Sequence, residues 1–341
     1  MQEIDQRDRE LLTALQGDIP LLSTPYAVVG QMIDMSEKEV IKRIDRLKRD
    51  GFIRALAAQF DNRALGYRSC LVAARVAPER VDDAAAIVSA HPGVTQNYRR
   101  NHEFNLWFTI AVAPSSKLGL EKTIEVLGDE AECEVVRALP TLRMFKTAGA
   151  DGEQLGDVDG SGAAPQELTA LETECVRILQ QDLPLQPRPF DTLARSGSVS
   201  AEELIATAKS LLARGQMRRF GAVIAVRKPG FTASAMGVWS VPQDRADAYA
   251  QTMMKNRAVS HCYVRPTYED WPYNLYTTVH GRSVDECESI INDIAIDTGL
   301  TEKRALYPTK EYKQTRVSLF GADADLWEAA HEAPAAATVA S

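Results

Sequence analysis

Apolar positions fall at helical spacing over residues 5–15 and again over 36–49. The second run opens with Ser36-Glu-Lys-Glu39, the Ser-x-x-Glu of a capping box, and Gly51 ends it. The following FIRALAAQFD is strand-like, so helix, turn, helix and strand predict a winged helix-turn-helix. Beyond it come a strand in RSCLVAARV, a helix in VDDAAAIVSA, strands in VTQNYRR and NLWFTIAVA, a helix near 116–127 and a strand in ECEVVRAL. That order predicts a ferredoxin-like α+β domain.

The pattern then repeats. At an offset of 164, Gln16, Asp18, Pro20, Leu21 and Pro25 fall on Gln180, Asp182, Pro184, Leu185 and Pro189. In the same register Ser36, Glu39, Ile41, Leu47, Gly51, Arg54, Arg63 and Gly66 fall on Ser200, Glu203, Ile205, Leu211, Gly215, Arg218, Arg227 and Gly230. Further on, Arg137-Ala138-Leu139 and Phe145-Lys146 align with Arg304-Ala305-Leu306 and Tyr312-Lys313 once a short insertion is allowed. The chain therefore reads as a tandem repeat: winged helix-turn-helix over 1–62, ferredoxin-like domain over 63–147, linker over 148–166, second winged helix-turn-helix over 167–226, second ferredoxin-like domain over 227–320. The Ala-rich end, 321–341, is expected to be disordered. Two such halves are expected to pair their sheets as a pseudo-symmetric dimer, which can stand alone or pair again as a homodimer.

Composition narrows the class. With 45% hydrophobic and 25% charged residues over 341 positions, the chain is long enough for several ordinary globular cores. No apolar stretch approaches a membrane span and the start lacks a signal-peptide pattern, so a cytoplasmic protein is expected, with no membrane contact. The five cysteines are scattered singly, which argues against a zinc site, an iron-sulfur cluster or a disulfide framework. A net charge of -8 opposes binding to polyanions. The first recognition-type helix, Ser36 to Arg49, holds six Lys/Arg against three Asp/Glu, whereas Ser200 to Arg214 holds two against two. A two-fold DNA reader needs both helices basic, so DNA binding is not expected and the helices read as scaffolding.

Residues 4–66 resemble the amino-terminal domain of Lrp/AsnC regulators, but VTQNYRRNHEFNLWFTI (94–110) and VSHCYVRPTYEDWPYNLYTTVHG (259–281) resemble the siroheme decarboxylases, a branch of that superfamily. The first half is similar to their NirD/AhbA-type subunit and the second to their NirL/AhbB-type subunit, as in fused NirDL proteins. The resemblance implies loss of the acetate carboxyls on rings C and D of siroheme, giving didecarboxysiroheme on the way to heme d1 or, alternatively, protoheme. It implies siroheme and its product as ligands, iron carried by the substrate, no separate cofactor, and other heme d1 biosynthesis proteins as partners.

A flat polycarboxylate needs cations, planar apolar walls and a proton donor. In the first hairpin Tyr98, Arg99, Arg100 and His102 are followed by Asn105 and Trp107; in the second His261, Tyr263 and Arg265 are followed by Trp271, Tyr273, Asn274 and His280. Arg99, Arg100 and Arg265 are the expected carboxylate clamps, because a guanidinium donates two parallel charge-assisted bonds. His102 and His261 are the candidate acids, with Tyr98, Tyr263 and Arg100 beside them; either histidine could instead be an axial ligand to the substrate iron. Lys146 and Lys313 could meet carboxylates. Each also has a plainer reading, the aromatics as core, the arginines as a solvated tip, the lysines as strand-end charges and His280 as the close of a strand. Arg99-Arg100-Asn101-His102 shows no counterpart in Val264-Arg265-Pro266, so two non-equivalent sites are expected. The rival functions are a transcriptional regulator and a non-catalytic tetrapyrrole sensor.

Overall fold

The computed structural model describes residues 4–146, 165–224 and 233–331, so all but the last two residues of the expected linker lie outside it. The first half runs α1 (Gln6–Gln16), α2 (Pro25–Met32), α3 (Glu37–Arg49), β1 (Ile53–Phe60), β2 (Arg68–Arg75), α4 (Val81–Ala90), β3 (Val94–Arg100), β4 (Leu106–Val112), α5 (Gly119–Glu130), β5 (Val135–Leu139) and β6 (Arg143–Lys146). The second half repeats it as α6 (Ala170–Leu179), α7 (Pro189–Ala194), α8 (Ala201–Ala213), β7 (Met217–Ile224), β8 (Ala233–Trp239), α9 (Ala246–Met254), β9 (Val259–Val264), β10 (Leu275–Gly281), α10 (Val284–Thr298), β11 (Lys303–Leu306), β12 (Pro308–Gln314) and α11 (Ala322–His331).

The contacts divide the chain into two units, each built from both halves. The first holds the helix-turn-helix segments. Ser200 and Glu203 complete a full capping box on α8, whereas Ser36 only accepts from the Glu39 amide, because the Glu39 carboxylate pairs with Arg43. Gly51 and Gly215 take φ of 77° and 74° just past the two helices, the left-handed turn that glycine adopts without penalty. The strand after each helix does not fold back as a wing of its own half among the described residues. Instead β1 pairs with β7, antiparallel, joining the two segments. Buried Asp8 is held by Arg43 at 2.9 Å and by Arg46.

The second unit holds two five-stranded sheets in the orders β12-β3-β4-β2-β5 and β11-β8-β10-β9-β6. Four strands of each sheet follow the ferredoxin-like plan, with α4 and α5 on one sheet and α9 and α10 on the other. The fifth strand comes from the opposite half. After β5 the chain crosses to pair β6 with β9, and after β11 it crosses to pair β12 with β3. This reciprocal exchange ties the halves by backbone hydrogen bonds as well as by packing.

Each sheet therefore has two apolar faces. The helix-facing cores gather residues such as Val72, Leu106 and Ile110 in one half and Trp239, Leu275 and Val279 in the other. A third core, Ala73, Phe104, Trp107, Leu139, Val238, Tyr263, Trp271, Tyr273, Tyr276 and Leu306, fills the seam between the sheets. Burial of so much aromatic surface is a large term in holding the pair together.

Of the stretch 321–341 expected to be disordered, Ala322–His331 forms α11 instead, and 332–341 lies outside the described residues. Glu328 accepts from the Ser116 hydroxyl and the Leu118 amide at the start of α5, and Trp327 stands between His91 and His331, with ring centroids 4.3 and 4.0 Å away. Alanine-rich segments favour helix, and docking fixes this one.

Candidate active site

The two β-hairpins, β3–β4 and β9–β10, present their seam-facing residues at matching positions. Tyr98 opposes Trp107 in one, and Tyr263 opposes Tyr276 in the other. Just beyond, the Arg100 amide donates to the Asn105 carbonyl and the Arg265 amide to the Asn274 carbonyl, each at 2.9 Å. The expectation that the Arg99–His102 run has no counterpart is thus corrected: Arg265 is the equivalent of Arg100. The guanidinium of Arg100 lies over Tyr98 and Trp107, 5.8 Å from each ring, and that of Arg265 lies over Tyr263 and Tyr276, at 5.3 and 5.5 Å. Arg100 donates to the Leu306 carbonyl and Arg265 to that of Leu139, again matching positions.

Both guanidinium groups leave Nε buried without a hydrogen-bond partner, and among the described residues neither is within ion-pair distance of a carboxylate. Desolvation lowers Arg100 to about 10, so it keeps its charge at neutral pH. A desolvated cation with unused donors is poised for an anion that the protein itself does not supply.

The halves differ at the positions around these arginines. A cleft of about 540 Å³ opens at the first hairpin, lined by Pro78, Arg99, Arg100, Asn101, His102, Asn105, Thr309 and Lys310. No carboxylate is in that lining, but Lys310 is paired at 3.0 Å with Asp82, which is not among the lining residues. Thr309 and Lys310 belong to β12, the exchanged strand, and Asn101 is tied to the second half through the Tyr307 amide at 2.6 Å. Sequence reading missed Lys310 and chose Lys313, because only the register of β12 on β3 decides which lysine meets the cleft. Lys313 instead donates to the Ser89 and His91 carbonyls at 2.8 and 3.0 Å, closing the C-terminus of α4.

His102 is half-buried, edge-on to Trp271 at 5.3 Å. Its Nδ1 accepts from the Phe104 amide at 3.1 Å, which assigns the proton of the neutral ring to Nε2. Burial, opposed by Glu103 and assisted by Arg304, holds its pKa below the ordinary histidine value. His261 is not among the cleft's lining residues. It lies on β9, buried, with Nδ1 2.8 Å from Ser260 Oγ, and stacks on Tyr263 at 5.8 Å. His280, on β10, reaches the same Ser260 hydroxyl with Nε2, at 2.9 Å.

Several other predicted residues have structural partners. Asn105 clamps the Val76 backbone through both amide atoms, at 3.1 and 2.7 Å, and Asn274 does the same to Val241, at 3.0 and 2.9 Å. Trp107 and Trp271 are fully buried, donating to the Phe104 carbonyl and the Tyr276 hydroxyl. Tyr273 packs on Trp271 at 5.0 Å. They form the wall behind the hairpins. Lys146 lies opposite Cys262 in the β6–β9 ladder.

Two family models match both halves. That for the AsnC-like ligand binding domain covers 64–146 and 228–313, and that for the siroheme decarboxylase NirDL-like HTH domain covers 8–54 and 172–218. The siroheme decarboxylase of Hydrogenobacter thermophilus is 34% identical over 322 residues, spanning 93% of this chain and 96% of that one. The chain belongs to the siroheme decarboxylases. Among them it is of the fused NirDL type and so a carboxy-lyase; the NirDL subunit of Paracoccus denitrificans is 31% identical over 91% of this chain and 96% of its own. The crystal structure of a siroheme decarboxylase NirDL matches with a TM-score of 0.80 and 32% identity over 95% of this chain and 98% of that one. A second crystal structure, of NirDL in complex with an iron-uroporphyrin III analogue, matches with the same TM-score over 94% and 97%. In this siroheme decarboxylase no helix among the described residues is long and apolar enough to cross a membrane.

Proposed function

We propose that this decarboxylase removes the acetate carboxyls of rings C and D of siroheme, giving 12,18-didecarboxysiroheme and two carbon dioxide. In this reading the cleft at the first hairpin holds substrate carboxylates on Arg99, Arg100 and Lys310, Arg265 serves the second hairpin, and His102 and His261 deliver protons with Tyr98 and Tyr263 beside them. The observation that carries it is a cleft lined by Arg99, Arg100 and His102 with no carboxylate among its lining residues, where the third cation, Lys310, is shared with Asp82. That a NirDL relative crystallises with an iron-uroporphyrin III analogue supports the same class of ligand.

At each acetate the bond to the carboxyl carbon breaks, its electron pair passes toward the conjugated ring, carbon dioxide leaves and a proton completes the methyl group. The step is redox-neutral and consumes one proton. Because Nδ1 of His102 already accepts a hydrogen bond, its free nitrogen carries hydrogen in the neutral ring. Both the imidazolium that donates a proton and the Nδ1–H tautomer that binds iron through Nε2 carry hydrogen on Nδ1, so in either role the Phe104 amide gives up this acceptor. Arriving carboxylates reverse the local field set by Arg304, raise the pKa of His102 and so load its proton with the substrate.

Four of the six cations on α3 are engaged by acids: Arg43 by Asp5, Asp8 and Glu39, Arg46 by Asp8, Lys48 by Asp182 and Arg49 by Asp45. Cations so neutralised are poor phosphate contacts, which supports scaffolding over DNA reading. The product feeds heme d1 or, alternatively, protoheme biosynthesis, with other heme d1 biosynthesis proteins as the expected partners in the first case. A strain lacking this protein that loses heme d1 and keeps protoheme selects the first route, and the reverse selects the second. For the cleft itself, anaerobic titration with siroheme should show Kd weakened about tenfold by Arg99→Ala and by Lys310→Ala, with a shallower salt dependence. Unchanged affinity in both variants would remove the cleft from the site.

A further inference from the structure

β9 carries a bulge that periodicity does not reveal. Thr278 opposes His261 and Val279 opposes Val259, which leaves Ser260 without a partner in the ladder. The extra residue turns the Ser260 side chain toward His261, where alternation would have sent it to the other face. Its hydroxyl then touches His261 Nδ1 at 2.8 Å, His280 Nε2 at 2.9 Å and the Thr278 carbonyl at 3.3 Å. His261 is only 6% exposed, whereas His280 is partly open to solvent.

The first hairpin separates what belongs to the fold from what belongs to chemistry. It has the same bulge, with Val94 opposite Ile110 and Gln96 opposite Thr109, and the bulged Thr95 also points its hydroxyl at the carbonyl across the strand, 3.5 Å from Thr109 O. Gln96 and Ala111 stand where the second hairpin has His261 and His280. A hydroxyl on the bulge is therefore common to both halves. The two histidines on either side of it occur in the second alone.

We propose that Ser260 and His280 form a proton relay that feeds His261 during decarboxylation. The proposal rests on His261 being a proton donor, as inferred above. Each carboxyl lost consumes a proton, and a buried ring cannot draw one directly from water. In the relay, His261 gives the proton on Nε2 to the carbon that has lost its carboxyl, and a C–H bond forms. The Ser260 O–H proton passes to His261 Nδ1, and the Nε2 proton of the His280 imidazolium passes to Ser260 Oγ. His261 and His280 both end neutral, and the charge of one proton has neutralised the carbanion. Exchange with solvent after product leaves returns a proton to His280 and resets the tautomers. Ser260 and His280 are positioning and relay residues; only His261 meets the substrate.

The test uses the full chain and siroheme under anaerobic conditions. Ser260→Ala and His280→Ala should lower kcat about tenfold or more with KM little changed, and should reduce the solvent deuterium isotope effect on kcat. Ser260→Thr, the residue that the first hairpin carries at this bulge, should keep the wild-type rate, and imidazole in the buffer should restore part of the rate of His280→Ala. Equal loss in Ser260→Ala and Ser260→Thr, or no rescue of His280→Ala, would mean a packing role and overturn the relay. If Ser260→Ala runs at the wild-type rate while His261→Ala is inactive, the relay falls and His261 stands as the acid. Full activity in His261→Ala would remove the acid itself, and the relay with it.

Discussion

Replacing Arg100 with methionine separates activity from stability in a way that few residues allow. The side chain has no acidic partner among the described residues; it rests over two aromatic rings at 5.8 Å, donates to the Leu306 carbonyl at 3.2 Å and leaves Nε unsatisfied. Losing the ring contacts and that one bond costs about 1–2 kcal/mol. Removing a desolvated charge with an unused donor returns a comparable amount. The folded chain should therefore change in stability by no more than about 1 kcal/mol. The substrate complex should change much more: two parallel charge-assisted bonds to a carboxylate contribute about 3 kcal/mol, or about a hundredfold in kcat/KM. Lysine at the same place keeps the charge but not the fork, and Arg100→Lys should lose about tenfold. Initial rates of anaerobic siroheme decarboxylation and thermal unfolding of the same preparations measure the two sides. A methionine variant that melts several degrees lower, or one that keeps its kcat/KM, refutes the reasoning.

Three further outcomes follow from the same geometry. If His102 acts as an acid, kcat/KM is highest below the lowered pKa of the free protein and falls as pH rises past it, with the kcat limb at higher pH because bound carboxylates raise that pKa; a kcat/KM that climbs through this range would indicate the neutral ring that iron ligation needs. Burial, with Lys313 and His331 nearby, pushes His91 down to about 4, so between 6.5 and 4 the unfolded chain binds the additional proton and stability rises with pH by up to about 3 kcal/mol. His91→Gln should flatten that slope in denaturant titrations at pH 4, 5 and 7, and an unaltered slope would place the titration elsewhere. Asp8→Asn leaves Arg43 and Arg46 facing a neutral group at a fully buried position, and urea unfolding should show a loss of about 3–5 kcal/mol, whereas a change below about 1 kcal/mol would make the cluster dispensable.

The elements were largely legible because each announces itself locally. The periodicity over 36–49, Ser36 before it and Gly51 after it define α3 with no knowledge of the rest of the chain. The strand-helix-hairpin-helix-strand order needed only pattern and length. What pattern could not give was the partner of each strand. β1 pairs with β7, and β6 and β12 cross to the opposite sheet, contacts between residues more than a hundred positions apart that leave no local signature. The site inherits that blindness. Arg99, Arg100 and His102 were readable as a cationic hairpin tip, but Lys310 reaches the cleft only through the exchanged strand, and Lys313, three residues on, closes a helix. Asn105 and Asn274 read as ligand contacts because a polar residue after a basic tip fits that role; their amides in fact tie down the neighbouring backbone. The longer tip of the second hairpin hid the equivalence of Arg100 and Arg265, which the shared rings and carbonyl partners make plain. Ser260 carried no signal, since a bulge is a departure from the periodicity by which strands are recognised.

The most direct test is the mass of the tetrapyrrole recovered after anaerobic incubation of siroheme with the wild-type chain and with His102→Ala and His261→Ala. The wild type should yield a product lighter by two carbon dioxide, and each variant should bind siroheme yet return it intact or stalled after one loss. Siroheme that the wild type binds but leaves unchanged, or full decarboxylation at the wild-type rate by both variants, would contradict the account.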